Sequence, residues 1–312
     1  MADPVAALPD VLVMGAGGTL GIAWLRGLVA GLEERSGLDL RRCEYFVGTS
    51  AGSFVAATLA SGHRVVDALS DPGSTPDAAA ETPPDEDAGP LERLAGESGR
   101  LAAALAAPFM PLALTATRPG GAAVRAAFLR AAPARRRAPA DFRRHAERLG
   151  AGFDGRLRIN VVDRRRGTRV VLGSPGAPKA SVTDAVMASC AVPWIFPPVE
   201  IGGREYVDGG VWSMSNLDVA PARRGGEVLA LLPIFGRGGG PRSAMSLVRA
   251  AAQAAGLAEL QVLRARGARV RIVAPDAGAT AAMGANLMDA RRRREVFDAA
   301  VAQGRRLASA TA

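Results

Sequence analysis

Between Val11 and Ser61 one local pattern occurs twice: a short apolar run, a glycine-rich turn and a segment with apolar residues at helical spacing. The first copy is Val11-Leu12-Val13-Met14, then Gly15-Ala16-Gly17-Gly18, then Ile22 to Arg35. The second is Tyr45-Phe46-Val47, then Gly48-Thr49-Ser50-Ala51-Gly52, then Ser53 to Ser61. Consecutive strands linked through a helix must run parallel, because a hairpin cannot return the chain to the same sheet end. This pairing predicts an α/β protein with a mostly parallel central sheet.

Further along, Leu157 to Val162 and Arg169 to Leu172 read as a hairpin across Asp163 to Thr168. A helix is expected over Val182 to Val192, ahead of Pro193, and a strand over Glu205-Tyr206-Val207. Strands follow at Glu227 to Ile234 and Val270 to Ala274, with helices from Ser243 to Arg266 and Asn286 to Leu307. Residues 70–90, rich in Asp, Pro, Ser and Glu, read as a mobile loop. From 91 to about 150, alanine-rich stretches broken by Pro108, Pro111, Pro119, Pro133 and Pro139 read as short helices of a cap insertion. The whole of residues 1–312 is expected to form one domain.

Composition narrows the functional classes. The chain is 48% hydrophobic and 22% charged, which suits a globular protein. Its net charge of +9 is carried by arginine, with Lys179 the single lysine, but the arginines are scattered and no nucleic-acid module is recognisable. No nucleic-acid partner is expected. Cys43 and Cys190 have no spacing that builds a zinc site or staples a fold of this size, so neither a metal nor disulfides are expected. With no signal-peptide pattern and no apolar run of ~18 residues, a cytoplasmic protein is expected. Peripheral membrane contact through Arg135 to Arg137 and Arg291 to Arg294 stays open beside their reading as solvated helix faces.

The first glycine turn invites a dinucleotide-binding reading, but Leu20 stands where the third glycine of that fingerprint belongs and no Gly-Lys-Ser/Thr follows. What is left is a set of backbone N–H groups at a helix start, suited to developing negative charge. The second turn, Gly48-x-Ser50-x-Gly52, has the nucleophile-elbow pattern. A triad hydrolase would need a histidine after its acid, yet the two histidines are His63 and His145. His63 lies at the far end of the elbow helix, ~15 Å from Ser50 by helical rise, and His145, beside Arg144 and Glu147, reads as a solvated face. A carboxylate can take the serine proton instead, and Asp208-Gly209-Gly210, after a strand, is the best candidate.

Taken together, Gly15 to Gly21, Gly48 to Gly52 and Asp208-Gly209-Gly210 resemble the oxyanion loop, serine elbow and DGG motif of the patatin-like phospholipase family. Ala188-Ser189-Cys190-Ala191-Val192-Pro193 with Phe196-Pro197-Pro198-Val199 is similar to the family stretch before the aspartate. The resemblance covers Val11 to Ser61 and Leu157 to Ala220. It implies a three-layer α/β/α fold, a nucleophile at Ser50, a base at Asp208 and oxyanion donors at Gly17 and Gly18, with Ala16 as a third. It also implies a lipid or acyl-ester substrate and no cofactor. The family commonly carries glycine where Ala16 stands and a basic residue where Leu20 stands. A serine lipid acyl hydrolase is therefore expected, with a weakly active lipid-binding protein or an acyltransferase as the alternatives. Leu105, Phe109, Met110, Leu112 and Leu114 of the cap are candidates to line an acyl pocket or to be ordinary core.

Overall fold

The computed structural model describes residues 5, 7–66, 121–132, 140–236 and 244–308. Eight strands form one sheet: β1 (Val11–Met14), β2 (Tyr45–Thr49), β3 (Leu157–Asp163), β4 (Arg169–Leu172), β5 (Val199–Ile201), β6 (Arg204–Asp208), β7 (Glu227–Leu231) and β8 (Arg269–Val273). The order is β5-β6-β3-β2-β1-β7-β8, with β4 paired to β3 off this path. β1 to β3, β7 and β8 pair in parallel, as the repeated strand-turn-helix pattern requires, while β4, β5 and β6 join by antiparallel ladders.

Eight helices occur among the described residues: α1 (Gly18–Ser36), α2 (Ala51–Ala60), α3 (Gly121–Ala131), α4 (Ala140–Arg148), α5 (Val182–Ser189), α6 (Ala244–Ala265), α7 (Ala277–Met283) and α8 (Arg293–Leu307). Alternation along the strands sorts them into layers. Leu12, Met14 and Phe46 point into the large core with Leu25 and Leu28 of α1, Phe54 of α2, Val186 of α5 and Val296 of α8. Val11, Val13 and Val47 point the other way, onto Leu260 and Leu263 of α6. The result is a three-layer α/β/α fold.

Several boundaries differ from expectation for identifiable reasons. α1 begins at Gly18, four residues early, because the glycine turn runs directly into a helix buried on nearly all sides, where periodicity is a poor guide. The strand expected to reach Ile234 stops at Leu231, since Pro233 opens a 3-10 turn. The helix expected to reach Val192 ends at Ser189, and the last helix starts at Arg293 rather than Asn286. β5 and α7, too short and weakly patterned to read, are additions.

Of the expected cap, the described part is α3 and α4. Leu129 of α3 packs on Val162, Val207 and Val211, and Phe142 of α4 enters the main core. His145 is corrected: it is buried at 4% exposure and stacks on Phe54 at 4.9 Å between ring centres, because α4 turns this face inward while its charged residues face out. The expected loop at 70–90, the candidate pocket residues Leu105 to Leu114 and Arg135 to Arg137 lie outside the described residues.

Candidate active site

The strand register explains how Ser50 and Asp208 meet. Ile159 and Asn160 of β3 pair with both β2 and β4, so those two strands must lie on opposite edges. Val161 and Val162 likewise pair with both β4 and β6, which puts β6 on the β2 edge. β2 runs parallel to β3 and ends with Thr49 opposite Asn160; β6 runs antiparallel and ends with Asp208 opposite Val161. The two carboxyl ends therefore converge from opposite directions on adjacent residues of one edge.

Ser50 sits at the apex of the first end. Its backbone, at φ 51° and ψ −120°, lies in a region that costs an L residue on the order of 1–3 kcal/mol and persists only where the surroundings enforce it. Close backbone approach on either side restricts which residues can flank Ser50. A Cβ on Gly52 would overlap the Met14 carbonyl and one on Gly48 the Ser53 backbone, so the turn closes only with glycine on both sides. The serine is 7% exposed and stands at the start of α2.

Asp208 is 5% exposed. Burial pushes its carboxyl up to about 7, against the pull of hydrogen bonds from the Ser50 hydroxyl and from Gly210 N–H. The Gly210 bond, to Oδ1, is 2.6 Å long. Gly209 packs so closely on the Asn160 carbonyl that a Cβ would overlap it. A buried carboxyl poised near neutrality is suited to exchanging a proton with a neighbouring hydroxyl.

The glycine loop meets Ser50 from β1. Gly17 caps α1, and Gly18 adopts φ +61°. Neither N–H has an acceptor among the described residues. Ala16, expected as a third donor, is corrected: its N–H is committed to Met214 O at 2.9 Å. Leu20, where a basic residue is usual, is fully buried in the main core. The histidines make other contacts, His63 Nε2 with Leu149 O at 3.2 Å and His145 with Phe54.

Ser50 lines a small, mainly apolar pocket. Ile22, Phe142, Met187, Val192, Phe196 and Met288 supply its apolar wall. These were not legible as a pocket, because they come from five separate parts of the chain. Also missed were Thr49 and Asn160 beneath the elbow: Thr49 Oγ1 accepts from Asn160 Nδ2 at 3.2 Å and from Asn216 Nδ2 at 3.1 Å, tying β2, β3 and the segment after Asp208 together.

The strained serine at a strand-to-helix elbow and the buried carboxyl beside it sit at one strand edge of a three-layer α/β/α protein. The family model described as patatin-like phospholipase matches residues 12–221, and the chain belongs to that family of lipid hydrolases. Its members act on lipid substrates. Among solved structures, VipD from Legionella pneumophila is similar to it at 14% identity over 96% of this chain and 67% of that one, with a TM-score of 0.41. No curated protein matches the chain in sequence. Among the described residues no helix is long and apolar enough to cross a membrane.

Proposed function

We propose that the protein hydrolyses acyl esters of lipids with Ser50 as nucleophile and Asp208 as the base. The observation that carries this reading is the convergence of a strained, glycine-flanked serine and a carboxyl held near pKa 7 on one strand edge. Asp208 accepts the hydroxyl proton as Ser50 Oγ attacks the carbonyl carbon. The carbonyl oxygen takes up the negative charge and is met by the N–H groups of Gly17 and Gly18. On collapse the C–O bond to the alcohol breaks, and Asp208 returns the proton to the leaving oxygen. Water then adds to the Ser50 ester with Asp208 taking its proton; as the acyl–Oγ bond breaks, Asp208 returns that proton to Ser50 Oγ, releasing the fatty acid and regenerating the serine. The apolar pocket beside Ser50 suits the acyl chain.

Covalent labelling with a fluorophosphonate, mapped to a residue, tests the nucleophile. Short-chain and long-chain esters are assayed in parallel with wild type, Ser50→Ala and Asp208→Asn. Labelling at Ser50 and loss of hydrolysis in both variants are expected. A label on any other residue, or a wild type inert at every chain length, rejects the reading.

A further inference from the structure

The elbow strain has to be held by something, and steric exclusion at Gly48 and Gly52 limits the turn without anchoring it. We propose that Ser189, the last residue of α5, is the positioning residue that fixes Ser50 and, through its own segment, sets the spacing of Ser50 from Asp208. This inference rests on the Ser-Asp reading above and deepens it.

Ser189 is fully buried, and its hydroxyl is used twice. It accepts the Ser50 backbone N–H at 2.9 Å and donates to the Asn160 carbonyl at 2.7 Å. Asn160 is the β3 residue paired with Thr49, and its side-chain amide also reaches the Gly48 carbonyl at 3.2 Å. The strained residue is therefore bridged through one hydroxyl to the strand beside it. Two residues on, the Ala191 carbonyl accepts the Asp208 backbone N–H at 3.0 Å. One short stretch at the end of α5 thus grips both backbones, Ser50 through a side chain and Asp208 through a main-chain carbonyl. Cys190 lies between them, close enough that the Asp208 charge raises its thiol pKa after burial has done most of the work.

The bond has a chemical consequence. With the Ser50 N–H engaged by Ser189 and the Ala16 N–H by Met214, neither is available to an oxyanion, which leaves Gly17 and Gly18 of the three expected loop donors. Loss of the Ser189 hydroxyl leaves the Ser50 N–H buried without an acceptor and the elbow free to relax. Small displacements of an attacking atom can cost on the order of 100-fold in rate.

The test is Ser189→Ala, which keeps the shape and removes the oxygen. With a soluble acyl ester, kcat should fall about 10-fold to 100-fold while KM stays within about twofold. Backbone amide NMR should show the Ser50 N–H exchanging at least tenfold faster than in wild type, with the thermal midpoint shifted by only a few degrees. An unchanged kcat, or an unchanged Ser50 exchange rate in the folded variant, overturns the proposal. Should the variant not fold, wild type decides it: a Ser50 N–H exchanging as fast as exposed amides overturns the bond. A wild type that hydrolyses nothing rejects the Ser-Asp reading alone, and exchange at Ser50 still decides whether Ser189 holds the elbow.

Discussion

Asp208 combines two properties that pull in opposite directions, near-complete burial and the need to carry a charge. Its folded carboxyl titrates at about 7 against an ordinary 3.8. For catalysis the ionised form is the base, so kcat/KM should rise about tenfold per pH unit up to about pH 7 and level off above it. A profile flat from pH 5 to 8 would remove Asp208 from that role. For stability the sign is reversed. Between about pH 4 and 7 the folded chain binds the proton that the unfolded chain has released, so this group's contribution falls as pH rises through that window. Asp208→Asn should therefore raise the thermal midpoint at pH 8 by several degrees and leave it nearly unchanged at pH 4. Calorimetry at the two pH values checks the difference; equal midpoints for both proteins at pH 8 would contradict the buried-charge account. Gly52→Ala tests the elbow itself. With Met14 O in the space of the new methyl, the turn must open, and a loss of at least ~2 kcal/mol of stability together with Ser50 labelling is expected in denaturant melts.

Between elements, α1 and α8 approach each other closely. A Cβ on Gly31 would overlap the Val301 carbonyl, and one on Gly27 the Phe297 carbonyl. Gly37, just past the end of α1, contrasts with them: it takes φ 70° with open space around it. Gly31→Ala should cost about 1–3 kcal/mol or more by overpacking, Gly37→Ala only about 1 kcal/mol through backbone strain. Equal losses in urea unfolding would mean that the helix pair is not held at this distance. These contacts also mark the limit of what the sequence discloses. Motifs whose residues are adjacent in the chain, Gly15 to Gly21, Gly48 to Gly52 and Asp208 to Gly210, were legible because each encodes its own turn. The meeting of β2 and β6 was not, because it depends on β3 changing partners after Asn160, which no local pattern records. Ala16 looked like a free donor because its acceptor, Met214, lies far along the chain. His145 looked solvated because its sequence neighbours are charged, whereas the face it shares with Phe142 is buried.

For the molecule as a whole, the residues matched by the family model do not complete the site. Beyond residue 221, Pro233 lies against Gly17, the Leu287 carbonyl accepts Leu20 N–H at 2.9 Å, and Met288 lies close against Gly18 while lining the pocket. The C-terminal third thus sets both the position of the glycine loop and the width of the pocket beside it. Met288 is the member of this group that can be shortened with least harm, since its backbone N–H is held by Asn286 Oδ1 at 3.0 Å whatever its side chain. Trimming it removes three heavy atoms from the pocket wall next to the proposed oxyanion donors. Met288→Ala should therefore raise kcat/KM for long acyl esters relative to short ones by about threefold to tenfold, on the scale of one to two methylene contacts. Labelling of Ser50 should persist, because the elbow and Asp208 are untouched. Parallel assays over a series of chain lengths check this, and a profile identical to wild type would place the acyl chain away from Met288.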